Sequence, residues 1–230
     1  MSQRNLIVRC LGLIGYREAL RLQKSIETDV IARLAADHLL LLEHPHTFTV
    51  GRRAGDGRVL ASSEILRNIG AEVFETDRGG KVTYHGPGQI VGYPVINLSP
   101  DREDVHRYVR DLEEALIRAL GDFGIEAFRI EGLTGVHTAE GKIAAIGIHI
   151  KRWVTTHGFA LNVNTDLTYF NWIVACEGEP VTSMERLIGN EVSIDEVKRR
   201  MIAHFAEVFG YRALQIVEDS CPEAVEKLGR

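Results

Sequence analysis

Cysteine is scarce in this chain of 230 residues. It occurs three times, as Cys10, Cys176 and Cys221. An odd and sparse set of this kind provides no disulfide framework, and no two of the three have the spacing of metal ligands. We therefore expect reduced thiols, as in the cytoplasm, and no bound metal. A reduced thiol is available as a nucleophile.

Long apolar runs and an excess of basic residues are also missing. Arg9 interrupts the apolar stretch near the amino terminus, and no run approaches the roughly 18 residues of a membrane-spanning helix. Lys and Arg number 27 against 32 Asp and Glu, which gives a formal net charge of -5. These features favour a cytoplasmic protein that binds neither membranes nor nucleic acids.

Helix-like and strand-like patterns alternate irregularly along the chain. Apolar residues recur at helical spacing from Tyr16 to Leu34 and again over residues 105–120. Apolar runs at residues 39–42, 81–84, 89–97, 143–150 and 153–163 are typical of strands, and Ser193 begins a capping-box signature. The order differs from the regular alternation of a doubly wound sheet. The sequence predicts one α+β domain over residues 1–230, with a mixed, mostly antiparallel sheet backed by helices.

Three glycine- and histidine-rich segments stand out in the chain. They are residues 77–89 (DRGGKVTYHGPGQ), 141–147 (GKIAAIG) and 156–162 (THGFALN). The segments and their order resemble those of the octanoyltransferases that start protein lipoylation, which are relatives of lipoate-protein and biotin-protein ligases. The resemblance extends from about residue 43 to residue 183, and it implies the catalytic-domain fold of the biotin and lipoyl protein ligases.

The resemblance also implies which residues act. It makes Cys176 the acyl carrier and Lys142 the group that activates it. In place of the Pro-Cys-Gly-Ile usual in the family, this chain has Ala175-Cys176-Glu177-Gly178. The small, apolar members of the second and third segments suit a hydrocarbon chain better than a sugar or a nucleotide base. The residues implied to contact the acyl substrate are Arg78, Gly79, Gly80, Lys81, Val82, Thr83, Tyr84, His85, Ala145, Ile146, Gly147, Gly158, Phe159 and Ala160.

A cysteine and a lysine together can form an activated nucleophile. A free thiol with a pKa of about 8.5 is mostly protonated at pH 7, and a nearby ammonium favours the thiolate. Without the resemblance, the residues favour a small buried side chain for Cys176 and a solvated strand end for Lys142. Cys10 and Cys221 are interpreted as structural.

The histidines allow a second interpretation of the site. His85 or His157 could pair with a cysteine, although a hydrogen-bonded core histidine is the favoured interpretation of both. His44 and His46 flank Pro45 at a spacing that suits metal ligands poorly without acidic or cysteine partners nearby. The sequence therefore predicts no metal site.

The reaction that the resemblance implies is acyl transfer. The donor is an octanoyl thioester of acyl carrier protein, and the acceptors are lysine amines in the lipoyl domains of 2-oxoacid dehydrogenase subunits and in the glycine cleavage H protein. Thioester exchange is near balance and thioester to amide is downhill, so we expect no ATP and no cofactor, in keeping with the absence of a P-loop motif. Two alternatives stay open. One is an ATP-dependent lipoate-protein ligase or a lipoyl amidotransferase, and the other is a non-catalytic relative that binds acylated carrier domains.

Overall fold

The computed structural model describes residues 4–55, 57–174 and 179–217, and the helices and strands that follow lie within those ranges. The helices are α1 (Tyr16–Ile31), α2 (Ser63–Asn68), α3 (Val105–Gly121), α4 (Met184–Ile188) and α5 (Ile194–Phe209), with a 3-10 helix at Leu167–Trp172. The strands are β1 (Asn5–Leu13), β2 (Asp37–Glu43), β3 (Thr47–Val50), β4 (Glu72–Glu75), β5 (Val82–His85), β6 (Gln89–Val95), β7 (Val136–Thr138), β8 (Gly141–Lys151), β9 (Val154–Asn162) and β10 (Ala213–Val217).

The described strands form two sheets. The larger has the order β10-β1-β2-β6-β9-β8-β7, and the smaller has the order β4-β3-β5. In the larger sheet β1 runs parallel to β10 and β2, and the other neighbouring pairs are antiparallel. The predicted class, a mixed and mostly antiparallel sheet with helices, is confirmed. The separate three-stranded sheet was not anticipated by the sequence.

Helices cover both faces of the larger sheet. On one face Leu39 and Leu41 of β2 share a core with apolar residues of α3 and α5. On the opposite face Leu40 and Leu42 pack with residues of α1. A strand that is buried on both faces needs no polar alternation, which explains the run of four leucines. No helix in the described part of the chain is long and apolar enough to cross a bilayer.

Capping at Ser193 follows the sequence, but the β8–β9 turn includes Trp153, which the strand-like run of residues 153–163 places in a strand, and the first helix is shorter than its apolar pattern. Ser193 accepts a hydrogen bond from the Glu196 amide and so begins α5 as predicted. The β8–β9 hairpin turns at Arg152 and Trp153, which both have positive φ, as a two-residue turn of this kind requires. The first helix, however, ends at Ile31, and the side chain of Leu34 is 80% exposed.

Cys10 corrects a second expectation. It lies on β1 with its side chain fully buried, and it is disulfide-bonded. The expectation that the chain contains no disulfide is therefore wrong for this residue, while its structural interpretation holds. Cys221 lies outside the described residues.

Strands β6 and β9 approach each other so closely that two glycines are required between them. A Cβ atom on Gly158 would run into the carbonyl oxygen of Gly92, and one on Gly92 would run into the ring of Phe159. Because these contacts are with backbone and a packed aromatic ring, neither neighbour can move aside cheaply. The close approach fixes the position of β9 relative to the centre of the sheet.

His44 joins the end of β2 to two other parts of the chain. Its Nδ1 donates to the carbonyl oxygen of Ile14 at 2.7 Å, and its Nε2 lies 2.8 Å from the hydroxyl of Tyr93. Because Nδ1 faces a pure acceptor, the tautomer with hydrogen on Nδ1 leaves Nε2 to accept from Tyr93. Burial disfavours the imidazolium and lowers the pKa of His44 to about 4.

Replacing Gly158 by alanine is expected to destabilise the protein by about 1–3 kcal/mol, the usual cost of overpacking a rigid contact. Urea unfolding monitored by circular dichroism measures the change. Gly121 at the end of α3 is the matched control, because a Cβ atom added there would meet no neighbour within 4 Å. Gly121→Ala should leave stability unchanged or raise it by up to about 1 kcal/mol. Equal effects of the two substitutions would contradict the proposed backbone contact.

The lowered pKa of His44 predicts a specific acid sensitivity. The unfolded chain binds a proton at His44 near pH 6.5, whereas the folded protein binds it near pH 4, so stability is lost as the pH falls between these values. The His44→Gln variant should lose less stability than the parent protein between pH 7 and pH 5. The free energy of unfolding measured at each pH provides the slope. If the free energy of unfolding depends on pH equally in both proteins, His44 does not take up a proton on unfolding in this pH range.

Candidate active site

A cavity of about 920 Å³ lies where strands of both sheets face each other. Its walls come from the segment that enters β5, from the middle of β8 and β9, and from the first turns of α3. All of the residues implied to contact an acyl chain line it, with the exception of Tyr84. They are Arg78, Gly79, Gly80, Lys81, Val82, Thr83 and His85, residues 145–147 and residues 158–160. The three motif segments, distant in sequence, thus meet around one space.

Tyr84 is placed elsewhere. Its side chain lies in the small core beneath the three-stranded sheet, where it packs with Phe48. Its hydroxyl is 2.7 Å from Nδ1 of His46, and its ring stacks on Tyr169 at a centroid distance of 4.8 Å. Thr83 and His85 of the same strand border the cavity, whereas the Tyr84 side chain enters that small core. Tyr84 is not among the residues that line the cavity, and its predicted contact with the substrate stays a prediction.

Two of the motif glycines are also required by packing. A Cβ atom on Gly147 would lie 2.9 Å from the carbonyl oxygen of Gly79, and the Gly79 amide donates to the carbonyl of Ile148 at 2.8 Å. The segment around Gly79 is therefore fastened directly onto β8. Gly147 and Gly158 allow backbone segments to approach, so their small size is needed for packing and not only for ligand space.

Lys142 lies near the start of β8, at the end of the cavity formed by residues 179–181. Its ammonium is 2.7 Å from Oε2 of Glu179, and both side chains are less than one-fifth exposed. The segment after Glu179 runs beside β8, because the Lys142 amide donates to Pro180 and the Thr182 amide donates to the Lys142 carbonyl. Gly141 permits this approach, since a Cβ atom there would collide with the Pro180 carbonyl oxygen.

Sequence reasoning missed Glu179. The signal that could have found it is an acidic residue three positions after Cys176, opposite in charge to the predicted lysine. Burial would raise the pKa of the Glu179 carboxyl, but the hydrogen bond and charge of Lys142 outweigh burial and lower that pKa. Lys142 and Glu179 therefore form an ion pair at this end of the cavity.

Cys176 itself lies outside the described residues, as do Ala175, Glu177 and Gly178. Its predicted role as acyl carrier stays a prediction.

A buried chain of hydrogen bonds connects the smaller sheet to the Lys142 region. His85 Nδ1 donates to Gln89, and Gln89 donates to Asn162 at 2.9 Å. Asn162 in turn donates to the carbonyl of Thr182 at 3.0 Å. Burial holds the pKa of His85 well below its usual range, so the ring is neutral. These partners agree with the favoured interpretation of His85 as a hydrogen-bonded core residue.

His157 is engaged at the other end of the cavity. It pairs with Ile148 across the hairpin, six residues or roughly 20 Å along β8 from Lys142. Its Nε2 is 2.6 Å from Oδ1 of Asp77, and Asp77 also contacts the ammonium of Lys24 at 3.1 Å. The hydrogen bond from His157 holds the pKa of Asp77 well below its usual range. His157 thus joins β9 to the residue that precedes Arg78.

No group of three metal-ligating side chains occurs within residues 4–55, 57–174 and 179–217. The two histidines around Pro45 have other partners. His44 contacts Ile14 and Tyr93, and His46 stacks on Tyr169 at 4.3 Å.

Sequence comparison points to the same chemistry as the motifs. The profile of the lipoyl protein ligase A/B catalytic domain matches residues 15–206. The octanoyltransferase of Solibacter usitatus is 54% identical over 212 residues, which cover 92% of this chain and 96% of that protein. The octanoyltransferase of Caldicellulosiruptor bescii is 48% identical over 204 residues, covering 87% of this chain and 90% of that protein.

Solved structures with little sequence identity share the fold. The lipoate protein ligase of Thermoplasma acidophilum superposes with a TM-score of 0.68 at 21% identity, covering 97% of this chain and 88% of that chain. The biotin protein ligase of Aquifex aeolicus superposes with a TM-score of 0.55 at 12% identity, covering 89% and 70%. The fold implied by the motif resemblance is confirmed. With a profile match over most of its length and relatives near half identity, the chain belongs to the lipoyl protein ligase A/B catalytic-domain family.

Proposed function

We propose that this protein is an octanoyltransferase that moves an octanoyl group from acyl carrier protein to a lysine of a lipoyl-domain protein. The observation that carries the proposal is the cavity itself. It brings the three motif segments together and ends at the half-buried Lys142–Glu179 pair. The two octanoyltransferases that match this chain over nearly their whole length support the choice of acyl group. The acceptors proposed are the lipoyl domains of 2-oxoacid dehydrogenase subunits and the glycine cleavage H protein.

The cavity suits a flexible hydrocarbon chain. Its volume of about 920 Å³ falls within the usual range of small-molecule sites, roughly 300–1,000 Å³. Ala145, Ile146, Phe159 and Ala160 supply apolar walls along β8 and β9. An acyl chain lying along these strands would have its carbonyl near Lys142 and its methyl end toward His157.

The first half-reaction transfers the acyl group to the enzyme. The thiolate of Cys176 attacks the donor carbonyl, a new C–S bond forms, and the C–S bond to the carrier breaks. The carrier leaves as a thiolate and takes up the proton that Cys176 released. The Lys142 ammonium favours the thiolate form of Cys176 because an opposite charge nearby stabilises the ionised state.

The second half-reaction forms the product amide. The neutral ε-amine of the acceptor lysine attacks the Cys176 thioester, a C–N bond forms, and the C–S bond breaks. One proton passes from the attacking nitrogen to the departing thiolate, and we assign Lys142 to carry it. Both half-reactions exchange one acyl bond for another, so no nucleotide is consumed.

Intact-mass spectrometry tests the covalent step. The protein incubated with octanoyl-acyl carrier protein and without ATP should gain the mass of one octanoyl group, and Cys176→Ser should gain none, because a hydroxyl does not ionise near neutrality. Cys10→Ser is the matched control and should still become acylated if it folds. An octanoyl adduct or full turnover in the Cys176→Ser variant would sink the covalent mechanism.

The same experiment separates the alternatives. A product that forms only from free acid and ATP would identify a ligase, as the fold shared with lipoate protein ligases allows. Binding of the donor without any adduct or product would identify a non-catalytic carrier-binding protein. Either result would overturn the proposed function.

Lys142 is expected to set the reactivity of the thiol. Lys142→Ala should slow alkylation of Cys176 by iodoacetamide at pH 7, with recovery at higher pH, because the loss of an adjacent cation raises the thiol pKa. Lys142→Arg keeps the charge, so alkylation should be slowed less than in Lys142→Ala, but transfer should fall since arginine does not give up a proton. The rate of alkylation against pH gives the pKa in each variant. An unchanged profile in Lys142→Ala would assign activation to another group.

A further inference from the structure

His137 is buried beside the Lys142–Glu179 pair without a hydrogen bond to any described residue. It lies on β7 with 2% of its surface exposed. Neither ring nitrogen has a hydrogen-bond partner among the residues that the structure describes. Leaving two polar atoms of a buried imidazole unpaired costs free energy, and apolar side chains could fill the position without that cost. A histidine placed in this way next to a reactive lysine therefore invites a functional explanation.

One oxygen atom of Glu179 lies close to both other side chains. Oε2 of Glu179 lies 2.7 Å from the Lys142 ammonium and 3.6 Å from Nε2 of His137. A shift of less than one ångström would bring His137 into hydrogen-bonding range of the carboxylate. Glu179 thus lies between the ammonium and the imidazole and contacts both.

The surrounding charges leave His137 neutral. Burial, followed by the charge of Lys142, lowers the pKa of His137, and Glu179 and the more distant Glu113 oppose this effect. Glu113 is held by Arg110, Arg129 and the amide of Gly135. The ammonium therefore holds the proton at rest, and the lowered pKa of His137 means that the imidazole can hold it only transiently, at a cost in free energy.

Resting on the proposed function, we propose that Glu179 and His137 form a proton relay that makes Lys142 a base during transfer to the acceptor. While paired with Glu179 as an ammonium, Lys142 has no lone pair with which to accept a proton. In the relay a proton moves from Lys142 Nζ to Glu179 Oε2 and on to His137 Nε2. Lys142 becomes a neutral amine, Glu179 stays a carboxylate, and the imidazolium holds the proton.

The relay closes when the amide forms. The acceptor amine attacks the thioester, its N–H proton passes to Lys142 as the C–N bond forms, and the C–S bond breaks to release the Cys176 thiolate. The proton on His137 then returns through Glu179 and Lys142 to the thiolate. Amine and thioester are consumed, amide and thiol are formed, and the three relay groups recover their starting charges. Glu179 and His137 act through Lys142, so they are positioning residues.

Separate measurement of the two half-reactions tests the relay. Pre-acylated enzyme is mixed with a lipoyl domain, and loss of the octanoyl group is followed by intact mass. Glu179→Gln and His137→Gln should each slow this step at least tenfold at pH 7.5, because glutamine neither takes nor passes the proton. Acylation by octanoyl-acyl carrier protein should be no slower than in the parent, since Lys142 keeps its charge in both variants.

The pH profile distinguishes a relay from a structural role. His137 must be neutral to receive the proton, so transfer in the parent should fall at a pH below the ordinary histidine pKa of about 6.5, as the lowered pKa of His137 requires. This acid limb should be absent in His137→Gln. His204 is the matched control; it lies on α5, and its Nε2 is 2.9 Å from the carboxylate of Asp122. His204→Gln should keep both the transfer rate and the acid limb.

Two results would overturn the relay. One is a transfer rate within threefold of the parent in both variants, and the other is an equal slowing of acylation and transfer, which would mean that Glu179 only holds Lys142 in place. If His137→Gln fails to fold, Glu179→Gln decides alone, since glutamine has nearly the same shape as glutamate. Failure of the relay leaves the parent enzyme acylated and active, whereas failure of the proposed function removes the adduct in the parent itself.

Discussion

The backbone of β8 is the constraint on which the rest of the site depends. Along one edge it pairs with β9 over the whole hairpin, and near its start it bonds to residues 180–182 through both the amide and the carbonyl of Lys142. Farther along, the Ile148 carbonyl accepts from Gly79 and so receives the segment that enters the smaller sheet. Strand β9, residues 180–182 and the segment around Gly79 are thereby all held to one strand. Their side chains enclose a cavity because the strand fixes all three at once.

Charge is distributed in pairs at the two ends of this cavity. Lys142 and Glu179 occupy one end, and Asp77 with His157 occupies the other. Apolar side chains of β8 and β9 line much of the space between them, and Arg78 and Lys81 also border it. Buried ions are costly unless each has a partner, so pairing at both ends allows charged groups to border an apolar space. The neutral state of His85, which burial enforces, fits the same pattern.

Two glycines of the motifs are needed for close packing of the backbone as well as for a site. Gly147 and Gly158 both border the cavity, which suggests that they leave room for a ligand. Their missing Cβ atoms instead make room for the carbonyl oxygens of Gly79 and Gly92. A larger residue would therefore push the walls apart before it filled the cavity. Packing and ligand binding constrain these positions together, and only the first is visible in the contacts of the protein with itself.

The amino-acid sequence determined the local elements and the chemistry of the motifs. The main strands and the helix that begins at Ser193 follow from periodicity and capping, which act over a few residues. The fold class and the family also followed from the sequence. The second sheet could not be predicted from the sequence, because β4 is a four-residue strand rich in glutamate. It pairs with β3, from which α2 separates it in the chain. Tyr84 lies in the core of the smaller sheet because of the way β5 packs, which its own sequence does not specify. The disulfide of Cys10 likewise depends on which residues the fold brings close together. Tertiary structure alone decided that Glu179 and His137 meet Lys142, because residues 137, 142 and 179 come together through sheet pairing and backbone bonds between segments that no local pattern connects.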